Sequence, residues 1–437
     1  MDARNEDLLD IAVIGPSRFP IREPYAGGLE VVVAKEVRAL RARGHRVTLY
    51  AAAGSEGHDR RHEFTTLAAA TGRGDSYYPP GGYEADAAEF ERLMDHVAVS
   101  GFDVVLNHSL SHVPLVRAAE MATPMITTLH CPQLAPMQEA FDRLGSATGR
   151  VLAVSRSVLG SWRVPHGAEV LPNGVDLQIW RPRAGAAGRT GAHPVPRSGG
   201  GAAARSGAGG VARTVAGVTA ARSASGGTVA RPASGGTVAR PASGGSGLST
   251  GGRATRPTDR PRAVWTGRIV PEKGPHLAVE AARRTGLRLD LAGRVGDDRY
   301  MERVLAPRLR DAGDSVRYHG PLGRDALVPL VASASVALVT PCWEEPFGLT
   351  AVEALACGTP VVALARGGIR EILSGQPGVV LVEPGRDPAS ALAAGIPAAL
   401  TLDRAATARA AAAAFSHDAR IDLLEARLRG LLVGAAS

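Results

Sequence analysis

Residues 341–373 read PCWEEPFGLTAVEALACGTPVVALARGGIREIL. Residues 349–357 are a run of helix formers, and Gly358 stands where a C-cap glycine belongs. Pro360 then opens a short apolar run, 361–364, which stops at Gly367 and Gly368. The local reading is loop, helix, turn, strand and glycine loop, the repeating unit of an α/β fold. Two carboxylates, Glu345 and Glu353, bracket the start of the helix with seven residues between them. The first-turn amides after Phe347, Gly348 and Leu349 have no intrahelical acceptor, and with the helix dipole they form a site for an anion such as a diphosphate. A carboxylate at Glu345 repels a phosphate, so it is better suited to accept hydrogen bonds from a hydroxyl-rich group. Glu353, one turn further on, could hold a second pair of hydroxyls. A sugar on one side of a diphosphate and a ribose on the other would suit both.

The same alternation recurs outward from this stretch. Residues 11–14 are a short apolar run ending at Gly15 and Pro16, a buried-strand pattern. A Pro- and Gly-rich loop follows, down to Gly27 and Gly28. Leu29, Val33, Val37 and Leu40 then recur at steps of four, four and three, one face of a helix. Gly44 closes it and 47–50 is the next strand, which makes a βαβ unit and a parallel sheet. The glycine pair lets a ligand approach the backbone closely, but it is not a GxGxxG fingerprint, so a nicotinamide site is not supported. Further strands are expected at 102–106, 125–129 and 151–154, with a helix over 84–97. His108 and His130 follow two of these strands, at the edge where open α/β sheets bind ligands. A second set of strands opens at 263–265. Arg268 and Lys273 flank the next loop, five residues apart at a helix start, a pairing suited to a diphosphate. Strands at 287–292 (ending in Gly293), 316–319 and 336–340 lead back to the opening stretch. Asp297 and Asp298 read as a polar turn rather than a metal-binding pair, and no metal is expected.

Composition narrows the class. The chain has 437 residues, enough for two ordinary domains, and no apolar run approaches the ~20 residues of a membrane span. Its net charge is +8, but residues 183–260 hold eleven arginines, no lysine and one acid, Asp259. That segment carries +10 by itself, and the remaining 39 basic and 41 acidic residues nearly cancel. It also repeats SGGTVARPA letter for letter at 225–233 and 234–242, and its composition cannot bury a core. It reads as a disordered repeat linker, and a basic segment of this kind leaves contact with polyanions open. Aromatic residues are 4%, which argues against stacking platforms for single-stranded nucleic acid, so no specific nucleic-acid partner is expected. Three unpaired cysteines and an acidic N-terminus without an apolar stretch suggest a reducing, cytoplasmic setting without a signal peptide. Lys35, Arg38, Arg41, Arg43 and Arg46 gather near one helix end; a solvated face explains them, and peripheral membrane contact stays open.

Several stretches together resemble one known family. The E-x7-E pattern with ALACGTPVVA and its glycine loop looks like the donor-site signature of the retaining family-4 glycosyltransferases, which have the GT-B fold. PYAGGLE, RARGHRVTLYA, TTLHCP, VLPNGVD, GRIVPEKG and GPLGRDAL continue the resemblance over the whole chain apart from 183–260. It implies two doubly wound Rossmann-like domains facing across a cleft: an acceptor-side domain over 1–182, the insert, a donor domain over 261–412, and a helix over 413–437 that crosses back to the first domain. It implies transfer of a hexosyl group from a nucleotide sugar, UDP or GDP, to an acceptor hydroxyl with retained configuration and without a metal or cofactor. Arg268 and Lys273 would neutralise the diphosphate, Glu345 would hold the donor sugar and Glu353 the ribose. Gly27 and Gly28 would face the donor across the cleft, and Gly293 and Leu322 would lie in donor-side loops. His130 would orient the sugar or acceptor. A lone histidine is more often structural, the reading preferred for His108 and His112, but His108 stands where it could line the acceptor side. The acceptor could be a small molecule, a natural product or an envelope precursor. A nucleotide-sugar epimerase or a non-catalytic sugar or polyanion binder are the alternatives; a phosphorylase would need a pyridoxal lysine beyond Lys35 and Lys273, the only two lysines.

Overall fold

The computed structural model describes residues 8–65, 67, 81–182 and 261–435; the repeat segment expected at 183–260 lies outside the described residues. The apolar runs form two six-stranded parallel sheets. The first contains β1 (Asp10–Ile14), β2 (Arg46–Tyr50), β3 (Val104–Asn107), β4 (Met125–Leu129), β5 (Arg150–Ala153) and β6 (Glu169–Val170), in the order β2-β1-β3-β4-β5-β6. The second contains β7 (Arg262–Thr266), β8 (Arg288–Ala292), β9 (Val316–Tyr318), β10 (Val336–Val339), β11 (Val361–Leu364) and β12 (Val379–Val382), in the order β12-β11-β10-β7-β8-β9. Both are doubly wound α/β sheets, as the strand–helix alternation requires. β1, β3, β4, β10 and β11 are almost wholly buried, which is why they read as continuous apolar runs rather than alternating ones.

The decisive stretch folds as its residue types dictate. The helix Leu349–Ala356 ends in a Schellman motif: the Gly358 amide donates to Leu355 O (2.8 Å) and the Thr359 amide to Ala354 O (2.9 Å), with Gly358 at φ +71°. Two strands lie outside the sequence expectations. β6 is only two residues long, too short to carry a period. β12 is an apolar run on the sheet edge, half-buried along its length. β3 starts at Val104 rather than at 102, and Asp103 instead accepts from the Asp10 amide (2.7 Å) at the mouth of the sheet. Asp297 accepts from the Tyr300 amide (2.8 Å) as a helix N-cap.

The chain crosses between the two sheets twice, and the crossings are joined. The Val175 amide donates to Phe415 O (2.7 Å) and the His417 amide to Val175 O (3.1 Å). A side chain on Gly174 would place its Cβ 2.5 Å from His417 Cα, so the glycine of VLPNGVD is required by close approach; the turn expected at Asn173–Gly174 does not form. After this crossing the helix His417–Ala435 packs back on the first sheet, where Ile421, Leu424 and Leu428 enter the core formed with β1, β2 and the helix Gly28–Ala42. Arg43 and His45 of the first half both contact the Glu425 carboxylate at 3.0 Å. No helix among the described residues is long and apolar enough to cross a membrane.

Leu428 is wholly buried in the core of the first sheet although it follows the second sheet in sequence. Leu428→Ala should lower the unfolding free energy by about 2–5 kcal/mol. Urea unfolding followed by fluorescence checks it; a loss under about 0.5 kcal/mol would mean the helix is not seated in that core.

Candidate active site

Strand order fixes where the site lies. In each sheet the order reverses beside the first strand, between β1 and β3 and between β7 and β10, and the loops leaving those strands diverge there to open a crevice. In the second sheet this brings together the loops after β7 and β10. The Cys342 amide donates to Glu272 O (2.7 Å), and Thr340 Oγ1 donates to Lys273 O (2.9 Å). Gly274, at φ +61°, would put a Cβ 2.2 Å from Thr340 O, so the contact depends on a glycine after Lys273. The result is that Lys273 and Glu345, 72 residues apart, form a two-contact ion pair, Nζ to Oε1 at 2.8 Å and to Oε2 at 2.6 Å. Trp343 Nε1 donates to the same carboxylate (2.8 Å), and Lys273 Nζ stands 5.3 Å from the Trp343 ring centre. Glu345 is braced from below by the Gly368 amide, which donates to its carbonyl (2.7 Å).

The first half closes over this group. The N-terminus of the helix Gly28–Ala42 meets the N-terminus of the helix Leu349–Ala356: a Cβ on Gly28 would stand 3.1 Å from Leu349 Cδ1, and one on Gly27 3.9 Å from Arg268 Nε. Two helix N-termini, Arg268 and Lys273 therefore surround one space; the second wall favours an anion, while on the first wall Glu30, in the first turn of the helix Gly28–Ala42, lines the same cleft. The cleft is about 210 Å³ and is lined from one side by Gly27, Gly28 and His130 and from the other by Arg268, Lys273, Phe347, Gly348 and Leu349. Contacts across the interface are specific. Ser155 Oγ donates to Pro346 O (2.7 Å), and the Glu371 carboxylate accepts from the Arg156 and Ser157 amides (2.8 and 2.9 Å) at the start of the helix Arg156–Gly160. Arg294 Nε, next to Gly293, donates to Ala26 O (3.2 Å) and its guanidinium lies over the Phe19 ring.

Glu353 stands outside the cleft, and His108 takes the buried, structural place preferred for it. Glu353 is not among the residues lining this cleft; its Oε1 lies 3.8 Å from Lys35 Nζ of the opposite half, and both groups are buried. Burial raises the Glu353 carboxyl, against the pull of Lys35, and burial likewise lowers the Lys35 amine. The separation is too long for a hydrogen bond, and Lys35 Nζ makes none among the described residues. His108 does not face the cleft. It is 1% exposed and lies behind His130, with its Nδ1 2.9 Å from His130 Nε2 and its Nε2 2.7 Å from Glu36 Oε1. Arg420, on the helix His417–Ala435, donates from Nη1 to Glu36 Oε2 (2.6 Å). Burial works to raise the Glu36 carboxyl, but His108 and Arg420 outweigh it and hold it well below the usual range. Burial pushes His130 well below 6.5, so the ring is neutral at pH 7. Cys131, also in the cleft, has its thiol pushed up to about 12 by burial and is no nucleophile. Leu322 is half-buried in the loop after β9, at the edge of the second sheet.

Comparison with known proteins agrees with this arrangement half by half. The profile described as Glycosyltransferase Family 4 matches residues 26–179, and that described as Glycosyl transferases group 1 matches residues 253–415. The chain belongs to the family-4 glycosyltransferases. A D-inositol 3-phosphate glycosyltransferase of Geodermatophilus obscurus is 41% identical over 181 residues, covering 37% of this chain and 39% of that protein. Across such curated relatives the matched segment spans 26–42% of the relative's length. In solved structures the fold is shared with sucrose-phosphate synthase of Thermosynechococcus elongatus (TM-score 0.66, 19% identity, covering 98% of this chain and 100% of that one). It is also shared with the Anabaena protein HepE in complex with UDP-glucose (TM-score 0.60, 15% identity, covering 97% and 99%). These establish a GT-B architecture.

Within this family-4 site, sequence reasoning missed Lys35, Glu36, Trp343, Glu371 and Arg420. One signal was available. Of 50 basic residues only Lys35 and Lys273 are lysines, and both lie between the two halves in pairs with glutamate. Arginine serves everywhere else, and a compact ammonium differs from a guanidinium in the geometry it presents to a carboxylate.

A pH prediction follows from His130. Its native ring stays neutral while the unfolded ring takes up a proton below 6.5, so the unfolded state binds more protons and stability falls as pH drops below that value. One such histidine costs up to about 1.4 kcal/mol per pH unit. Urea titrations between pH 7 and 5 should therefore show a shallower loss for His130→Asn than for the wild type. Equal slopes would contradict a neutral, buried His130.

Proposed function

We propose that this family-4 glycosyltransferase moves a hexosyl group from a nucleoside diphosphate sugar to an acceptor hydroxyl, with retention of anomeric configuration and without a divalent metal. The observation that carries this reading is the convergence of two helix N-termini, Arg268 and the Lys273–Glu345 pair on one cleft. In the transfer, the bond from the anomeric carbon to the diphosphate oxygen breaks and its electron pair leaves with the diphosphate. Arg268, Lys273 and the amides after Phe347 meet the growing charge, the largest usual contribution in such catalysis. They supply the positive charge that a divalent ion supplies elsewhere. The acceptor oxygen bonds to the anomeric carbon on the face the diphosphate leaves, and the leaving phosphate takes the acceptor proton. Glu345 fixes Lys273 against the diphosphate and keeps a carboxylate beside the donor sugar. His130, neutral and in the cleft, orients a hydroxyl and is not the base.

A cleft of about 210 Å³ is below the ~300 Å³ at the lower end of small-molecule sites, so the halves part to admit a nucleotide sugar. Opening separates Lys35 from Glu353 and frees that carboxylate for the ribose. The Anabaena neighbour crystallised with UDP-glucose supports UDP as the first nucleotide to test. The relatives named D-inositol 3-phosphate glycosyltransferases support a phosphorylated polyol as the first acceptor.

The test is a thermal-shift panel of UDP, GDP, ADP and TDP in the presence of a chelator, on the wild type and on Arg268→Ala/Lys273→Ala. A nucleotide at 100 times its dissociation constant should add about 2.7 kcal/mol of stability, and the double variant should lose it. The corresponding nucleotide sugar should then label a polyol phosphate, with the product's anomeric proton reporting retention. No shift with any nucleotide would turn the reading toward a sugar or polyanion binder. Turnover of the nucleotide sugar without an acceptor would turn it toward an epimerase.

A further inference from the structure

The array behind His130 has no place in the proposed transfer, yet it is continuous. Arg420 Nη1, Glu36, His108 and His130 are joined by contacts of 2.6, 2.7 and 2.9 Å, and the first three are 4%, 0% and 1% exposed. We infer that Glu36, through His108, sets which nitrogen of His130 carries the proton, so that His130 offers the cleft a hydrogen-bond acceptor and not a donor. Glu36 and His108 are thus positioning residues for the donor sugar or the acceptor. This rests on the reading of His130 given under the proposed function.

The assignment follows from donors and acceptors alone. A carboxylate is acceptor-only and an arginine donor-only, so the Glu36 oxygen facing Arg420 accepts from it and the oxygen facing His108 must accept from His108 Nε2–H. His108 is inferred to carry a single proton, and a doubly protonated His108 in nitrogen-15 spectra would overturn the inference. A neutral His108 with its proton on Nε2 has a lone pair on Nδ1. That lone pair is 2.9 Å from His130 Nε2, which must therefore donate. A neutral His130 with its proton on Nε2 carries a lone pair on Nδ1, the remaining polar atom of a ring that lines the cleft. A hydroxyl of the sugar or of the acceptor can donate to it. The array spans four separate parts of the chain: the helix Gly28–Ala42, the end of β3, the end of β4, and the helix that returns from the second sheet. The polarity of one nitrogen in the cleft is thereby fixed by a helix that belongs to neither wall of it.

Glu36→Gln separates this from a structural role. Arg420 can only donate, so the amide oxygen turns to Arg420 and the NH₂ faces His108 Nε2, which must now accept. The His108 proton moves to Nδ1, His130 Nε2 becomes the acceptor, and its proton appears on Nδ1. Nitrogen-15 NMR of histidine-labelled wild type should find both rings protonated on Nε2. The variant should find both protonated on Nδ1. The variant's kcat/KM for transfer should fall by about tenfold to a hundredfold, as for one misdirected hydrogen bond, with the UDP dissociation constant unchanged. Wild-type His130 protonated on Nδ1 would overturn the inference without any variant, and so would unchanged His130 in a folded Glu36→Gln protein. The expected tautomers in a protein that transfers from no nucleotide sugar would sink the functional reading and leave the array's control of His130 standing.

Discussion

A parallel sheet delivers every loop of one kind to the same edge, and a reversal of strand order opens a gap in that edge. The whole site depends on this constraint being met twice. In one sheet the gap holds Lys273 and Glu345; in the other it receives the glycine pair and the imidazole pair. Each half taken alone is an α/β sheet with an open crevice. Facing each other, they put a helix N-terminus on each side of one small cleft, with Arg268 and Lys273 on the second side. The energetic logic is that of a desolvated anion site: fixed dipoles and charges in a dry cleft act more strongly than mobile ones in water.

Charge in this interior is handled in pairs. Consecutive residues of the helix Gly28–Ala42 point into two different arrangements: Lys35 stands against Glu353 of the second sheet, and Glu36 stands between His108 and Arg420. The first pair is long and burial penalises both partners; the second is short, and both oxygens of its carboxylate accept hydrogen bonds. A poorly compensated pair is the contact that opens most readily, and a well-compensated one stays shut. One helix therefore carries a contact that yields when the halves part and, beside it, one that keeps the site's geometry constant while they do.

Much of this was legible in the residues. Apolar runs with glycine stops gave the parallel sheets, and the order GRIVPEKG before E-x7-E placed Arg268, Lys273 and Glu345 on one side of a cleft. These are local patterns, and local backbone chemistry decides them. What escaped was whatever depends on a partner far along the chain. Glu353 sits at its expected place on the helix, but its neighbour Lys35 is more than three hundred residues away, and helical spacing gives no hint of it. His108 looked like a residue at a binding edge because it follows β3; only the packing of His130 in front of it shows that it acts from behind. Arg420 carried no signal in the sequence, and its buried contact with Glu36 is a property of the crossing, not of the pattern.

The returning helix has a consequence for how the protein is made. Ile421, Leu424 and Leu428 complete the core of the first sheet, yet a ribosome supplies them only after the entire second half has been synthesised. Domains ordinarily fold in the order in which they emerge. Here the first half waits, with an apolar strip over β1, β2 and the helix Gly28–Ala42 uncovered, while the second half is already able to form its sheet. The half that starts the chain is thus the last to be finished, and during synthesis it is the half that a chaperone would need to hold.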